Sequence, residues 1–209
     1  MAINSYADLT SAVGSYLARS DLAGFVPDWI KAAEARIHYG GQAPLESEPL
    51  RIRQMEQSTA ITASSAITLP GDLLEIRDVF MNNNTRTPVE LSTPYAIRRR
   101  YAGTETGTPL YYSIEGDTMM FGPAPDTTET VTIKYYAKMA AVSAGTPWLL
   151  TNHPTLYIYG ALLEAAPFLR KDGRLQVWHG LFKSGIEGLN GTSRAARWPA
   201  GSAVRPDVT

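Results

Sequence analysis

The chain has no cysteine among its 209 residues. That excludes disulfide staples and thiolate metal ligands and suits a reducing compartment. Histidine is scarce: His38, His153 and His179 are the whole set, and no two stand at the i, i+4 spacing of a helical metal site. Neither sign of charge is in excess, with 19 Lys and Arg against 20 Asp and Glu, a net charge of −1. A nucleic-acid binder or a membrane-surface protein would be expected to carry a basic excess that is missing here. No apolar run approaches the roughly 18 residues of a membrane span. The opening MAINSYADLT has neither the basic nor the apolar region of a signal peptide, so no leader is expected. There is no nucleophile elbow and no phosphate loop. Gly185, Gly188 and Gly191 stand three apart but follow a helical stretch rather than a strand, which argues against a dinucleotide loop.

What is present is enough apolar material for a core: 44% hydrophobic residues against 19% charged. Both ends read as helical. Ser5 followed by Asp8 forms a capping-box-like start, after which Leu9, Val13, Tyr16 and Leu17 share a stripe. A second helix follows, with Pro27 in its first turn, Gly40-Gly41 as its stop, and Val26, Trp29, Ile30, Ala33 and Ile37 on one face. The middle changes to a period of two. STAITASSAITLP and LLEIRDVFM read as strands, Asn82 to Pro88 as a turn-rich loop, PVEL as a short strand back, and STPYAIRRRY as a short helix. LYYSIE and TMMF pair around Glu115-Gly116-Asp117, and Pro123 and Pro125 end that hairpin. In the next strand Val131, Ile133 and Tyr135 should face the core while Thr132, Lys134 and Tyr136 face a wetter side.

Helices return after Asn152 and His153. The segment from Pro154 is apolar almost all round, which marks a central buried helix. Gly160, Ala161, Ala165 and Ala166 allow close neighbours there, and Pro167 ends it. Leu175, Trp178, Phe182, Ile186 and Leu189 then form one stripe, and beyond Gly191 the periodicity stops. The expected organisation is α+β. Residues 1–45 and 150–190 make a four-helix-type bundle, 46–149 a β-rich insertion of sandwich or barrel type, and 191–209 a flexible extended tail.

Chemistry-bearing clusters are few. Glu46 with Glu48, and Glu115 with Asp117, are the acid pairs that could approach the spacing a glycosidase needs, and surface turns are the plainer reading. Each histidine reads as structural or exposed. Arg98-Arg99-Arg100 reads as a solvated helix face, with a contact to an acidic partner or a phosphate backbone as the sharper alternative. Eleven tyrosines and four tryptophans come without a basic groove, which favours core and subunit-interface packing over a nucleic-acid platform. The tail holds Arg194, Arg197 and Arg205 against Asp207, three positive charges and one negative, hence net +2. Trp198 precedes Pro199 as one large apolar anchor.

Four stretches together are similar to the phage head–tail adaptor family, of the tail tubular protein A type. They are YADLTSAVGSYLARSDL with VPDWIKAAEARIH; ITLPGDLLEIRDVFM; TPLYYSIEGDTMMFGPAPDTTETVTIKYYAKM; and TNHPTLYIYGALLEAAPFLRKDGRLQVWHGLF. The resemblance covers roughly residues 5–190. Gly40-Gly41, standing where a longer basic helix end is expected, is a departure that bears on the length of the second helix. The resemblance implies a structural virion protein and not an enzyme, with no cofactor, no metal and no catalytic residue. It implies a ring, usually of twelve copies, that joins the portal protein to a tail or nozzle protein and continues the channel for double-stranded DNA without binding it specifically. On that view Arg194, Arg197, Trp198 and Arg205 meet the portal. Two other classes stay open on the residues alone: a cell-wall hydrolase using Glu46, Glu48, Glu115 or Asp117, and a carbohydrate-binding tail module using the tyrosine-rich strands.

Overall fold

A computed structural model describes residues 3–83, 85–101, 105–126, 130–169 and 173–197. It is mixed α+β, with six α-helices and two sheets among the described residues. The chain divides into two compact units. One takes in the residues up to Gln54 and those from Met139 onward, and the other is the continuous stretch Met55–Lys138.

The helical unit begins with α1, Tyr6–Leu17. The Ser5 hydroxyl oxygen accepts the Asp8 N–H at 3.1 Å and donates to the Asp8 carboxylate at 2.8 Å, while the Asn4 N–H reaches the same carboxylate at 3.2 Å. Orphan donors of the first turn are thereby satisfied where the spacing predicts. Leu9, Val13 and Leu17 are buried, joined by Ala12. Tyr16, expected on that stripe, is exposed in the last turn. Helix α2, Val26–Tyr39, buries all five residues of its stripe together with His38, and the Gly40 N–H closes it on the Arg36 carbonyl at 2.9 Å.

After the short α4, Trp148–Asn152, comes α5, Pro154–Ala165, with eight of its twelve residues buried. It packs against α1, α2 and α6, the last spanning Leu175–Arg197. Its approach to two of these neighbours depends on Gly160: a Cβ there would lie 2.8 Å from the Ala33 Cβ and 3.2 Å from the Phe182 ring. Arg36 on α2 also meets Glu164 on α5 at 2.6 Å. Helix α5 stops at Ala165, and a 3-10 turn, Ala166–Phe168, takes in Pro167.

Two sequence expectations are corrected in this unit. The tail does not begin at Gly191, because α6 runs on to Arg197. The buried stripe Trp178, Phe182, Ile186 continues as Asn190 and Ser193, so the helical period persists in polar residues and disappears from a hydrophobic pattern. The rest of the expected tail, 198–209, lies outside the described residues. The stretches 46–54 and 139–149, assigned to the insertion, group with the helices. They lack either period because they are irregular connections whose backbone groups are met by the helices. The Leu50 N–H donates to the Ile37 carbonyl at 2.8 Å, and the Val142 N–H donates to Glu34 Oε1 at 2.7 Å.

The second unit contains β1, Glu56–Thr62; β2, Ala66–Thr68; β3, Leu73–Met81; β4, Glu90–Leu91; α3, Pro94–Arg100; β5, Tyr111–Glu115; β6, Thr118–Gly122; and β7, Thr130–Ala137. Strand β7 lies between β1 and β3, antiparallel to both. The other sheet runs β2-β6-β5-β4, with β4 parallel to β5. Side chains of both sheets share one core, including Val79, Met81 and Ile133 from the first and Tyr112, Met119 and Phe121 from the second. The β5–β6 hairpin turns at Gly116, whose φ of +60° is unfavourable for residues with a Cβ. PVEL does not simply run back along β3. The Val89 N–H bonds the Val79 carbonyl at 2.9 Å, and the chain then crosses sheets as Glu90 and Ser92 donate to Leu110 and Tyr112. Tyr136 and Thr132, expected on a wet face, are both buried, the Arg77 guanidinium lying 5.5 Å from the Tyr136 ring centre, and of that set Lys134 alone is exposed.

Candidate interaction surface

The end of α6 is held by its buried polar residues. Asn190 accepts the Arg51 N–H at 2.8 Å through its side-chain oxygen and donates to the Pro49 carbonyl at 3.0 Å. The Ser193 hydroxyl accepts the Arg53 N–H at 3.0 Å. These bonds clip an irregular segment, 49–53, onto the helix. They also fix the register of the turn that carries Arg194 and Arg197. Neither Asn190 nor Ser193 stood out by residue type, although continuing the stripe by four and then three positions from Ile186 finds both.

Arg194 projects to the surface and pairs with Glu48 at 3.3 Å, both side chains being more than half exposed. Arg197 is partly buried. Trp198 and Arg205 lie outside the described residues, so two of the four expected portal anchors have positions in the structure. A groove lined by Ile52, Trp148, His153, Leu189 and Ala196 opens beside the end of α6. Phe25 and Phe168, both about half exposed, stand 5.5 Å apart and lean on Trp29, forming a small aromatic patch on the helical unit.

The acids weighed as catalytic candidates are placed separately. Glu115 accepts from Arg98 at 2.5 and 2.7 Å, closing the hairpin onto α3. Asp117 lies in the turn itself. Glu46 and Glu48 line an open depression with Lys183 and Glu187 in the helical unit, and Glu48 is engaged by Arg194. The arginine run lies on an exposed face, as expected, and two of its members are engaged there: Arg98 holds Glu115, and Arg100 lies 5.5 Å from the Tyr111 ring centre.

Each histidine has a structural contact. His38 Nε2 accepts the Met139 N–H at 3.3 Å, His179 Nε2 lies 2.9 Å from the Glu46 carbonyl oxygen, and His153 joins α4 to α5 with its N–H on the Leu149 carbonyl at 2.8 Å. Among the described residues no three His, Asp or Glu side chains are grouped to hold a metal, and no helix is long and apolar enough to cross a membrane. The shifted buried groups serve packing. Burial raises the Glu34 carboxyl against the opposing bond from Val142, and burial raises the Tyr157 phenol with Glu34 adding to the shift.

Comparison with known proteins adds what geometry cannot. No curated protein matches the chain. Among solved structures, one described as "Neck of native GTA particle computed with C12 symmetry" is similar at 16% identity, covering 83% of this chain and 87% of that one, with a TM-score of 0.27. The family model described as SU10 adaptor protein matches residues 4–207. The chain belongs to the SU10 adaptor protein family, and is a bacteriophage head-to-tail adaptor, a structural protein of the virion.

Proposed function

We propose that the protein assembles as a ring of twelve copies between the portal and the tail or nozzle, with double-stranded DNA passing through its lumen. The observation that carries this is the adaptor family match over residues 4–207, nearly the whole chain. The near-neutral composition favours it, since a strongly basic lumen would hold the phosphates and slow passage. The helices of the first unit act as the rigid body of the adaptor. That α5 packs against α1, α2 and α6 supports a four-helix-type bundle. Arg194, Arg197, Trp198 and Arg205 form the portal-facing set. Arg194 can change partners at little loss, because an exposed ion pair such as that with Glu48 is worth about 0–1 kcal/mol.

Catalysis has no part in this reading. Glu48 and Glu115 are engaged by arginines, each histidine has a structural contact, and an adaptor needs binding surfaces rather than a reacting centre. Electron microscopy of isolated virion necks with this chain labelled tests the proposal. A closed ring of label next to the portal is expected. Label elsewhere in the virion, or clearing of purified peptidoglycan by the chain, would overturn it.

A further inference from the structure

Strand β1 is an outer strand of its sheet, and the hydrogen-bond pattern identifies the groups that it turns outward. The Asn82 N–H bonds the Thr130 carbonyl at 2.7 Å, so Thr130 and the alternate residues Thr132 and Lys134 of β7 face β3. Val131, Ile133 and Tyr135 therefore face β1, where their partners are Ile61, Thr59 and Gln57. The intervening Ser58, Ala60 and Thr62 turn N–H and C=O away from the sheet. All three residues are exposed, and among the described residues no backbone bond from outside the ladder reaches them. Three outward donor–acceptor pairs thus stand about 6.8 Å apart along a straight edge.

Folded monomers blunt such an edge with charge, proline or a bulge. Strand β1 has none of these between Gln57 and Thr62, and its register with β7 is unbroken. The opposite border is treated differently. Strand β3 carries two register shifts, and residues 87–89 occupy its outer side through bonds to Met81 and Val79. The same segment continues into β4, so β3 and β4 share that border. Since the Glu90 and Ser92 N–H groups donate to the Leu110 and Tyr112 carbonyls, Leu91 faces its own backbone groups outward; Leu91 is 68% exposed and Tyr95 71%.

We infer that the open edge of β1 seats a second copy of this chain, which adds an extended strand there and brings its Leu91 and Tyr95 border to the contact. The inference rests on the ring reading and names its subunit interface. One copy offers an unblunted edge, and the other border of the same chain offers exposed apolar side chains beside an outward-facing backbone. Two different borders used head to tail make a heterologous contact, which closes into a ring by rotation. Main-chain pairing supplies the attraction, and the absence of charge from Gln57 to Thr62 leaves no charge there to oppose the different border of the incoming copy.

The test uses the backbone. Ala60→Pro deletes one outward N–H and leaves the bonds made by Gln57, Thr59 and Ile61 in place. Ala60→Ser keeps the N–H. The proline variant should match the serine variant in circular dichroism and melting but lower ring incorporation into necks by about tenfold or more; equal incorporation overturns the inference. Should the proline variant misfold, hydrogen exchange of the unaltered chain decides the matter: peptide 56–62 should gain protection at the outward amides on passing from the free chain to isolated necks. Thr62 replaced by photo-reactive p-benzoylphenylalanine should capture a peptide of this same chain, and capture of any other protein overturns the inference. Intact rings whose peptide 56–62 exchanges as in the free chain sink the edge contact and leave the ring reading standing. Necks without a ring of this chain sink both.

Discussion

Asn190 occupies the place in α6 where the apolar stripe calls for a leucine or isoleucine. It is 4% exposed, and its amide satisfies both an N–H and a carbonyl of the segment 49–51. Asn190→Ala would leave the Arg51 N–H without that partner, so a loss of about 1–3 kcal/mol is expected in denaturant unfolding. Ser193→Ala, which frees only the Arg53 N–H, should fall at the lower end of that range. Glu34 gives a pH-dependent case. Burial holds its carboxyl above the ordinary range, opposed by the bond from the Val142 N–H. A raised folded-state pKa means that the folded chain binds this proton more tightly. The contribution is therefore complete below the ordinary carboxylate range and is lost as pH rises through the folded value. Glu34→Gln keeps an oxygen for Val142 and cannot ionise. It should raise the melting temperature at pH 7 and flatten its decline between acid and neutral pH; an unchanged pH profile would count against a burial-shifted Glu34. Residue type marks neither Glu34 nor Asn190, since each owes its role to a backbone group far along the chain.

Helix α5 shows where sequence reading succeeds at the scale of elements. Its all-round apolar character, the small residue at Gly160 and the break at Pro167 are local properties, and each predicts what the structure contains. Gly160→Ala removes a helix-weakening glycine, worth up to about 1 kcal/mol in an open helix. Here the added methyl would meet the Ala33 Cβ at 2.8 Å and the Phe182 ring at 3.2 Å. Overpacking typically costs about 1–3 kcal/mol, so the clash should win and thermal melting should show net destabilisation. Gly188→Ala, with open space around it, should show the propensity gain alone. The hairpin at Gly116 was legible for the same local reason. Strand β7 was half legible: its alternation predicts a buried Ile133 and Tyr135, but the burial of Tyr136 involves a side chain from another strand, Arg77 of β3, which the alternation within β7 does not register. The end of α6 was misread because hydrophobic periodicity cannot register a stripe that continues in asparagine and serine.

At the scale of the whole molecule the useful experiment is a cut, and the structure decides where to place it. Ending the chain at Asn190 would delete Ser193 and its bond to Arg53, so lost binding could not be separated from a loosened helix. Ending it after Arg197 keeps every described bond of α6 and removes Trp198 and Arg205. Helix content by circular dichroism and the unfolding midpoint should then match the full chain. Binding to purified portal should fall sharply if the removed residues are anchors, and unchanged binding would remove the C-terminal segment from the portal contact. Trp198→Ala in the full chain separates the anchor from the charge: a buried tryptophan at the centre of an interface is worth about 2 kcal/mol or more, roughly a thirtyfold loss of affinity. Arg194→Ala should do less, because the free protein already offers that guanidinium a partner in Glu48, and binding gains only the difference between two exposed pairs. Raising the salt concentration should weaken the arginine contribution and leave the tryptophan contribution in place. If Trp198→Ala proves neutral while Arg194→Ala abolishes binding, the portal meets the charged face of α6 and not the segment beyond it.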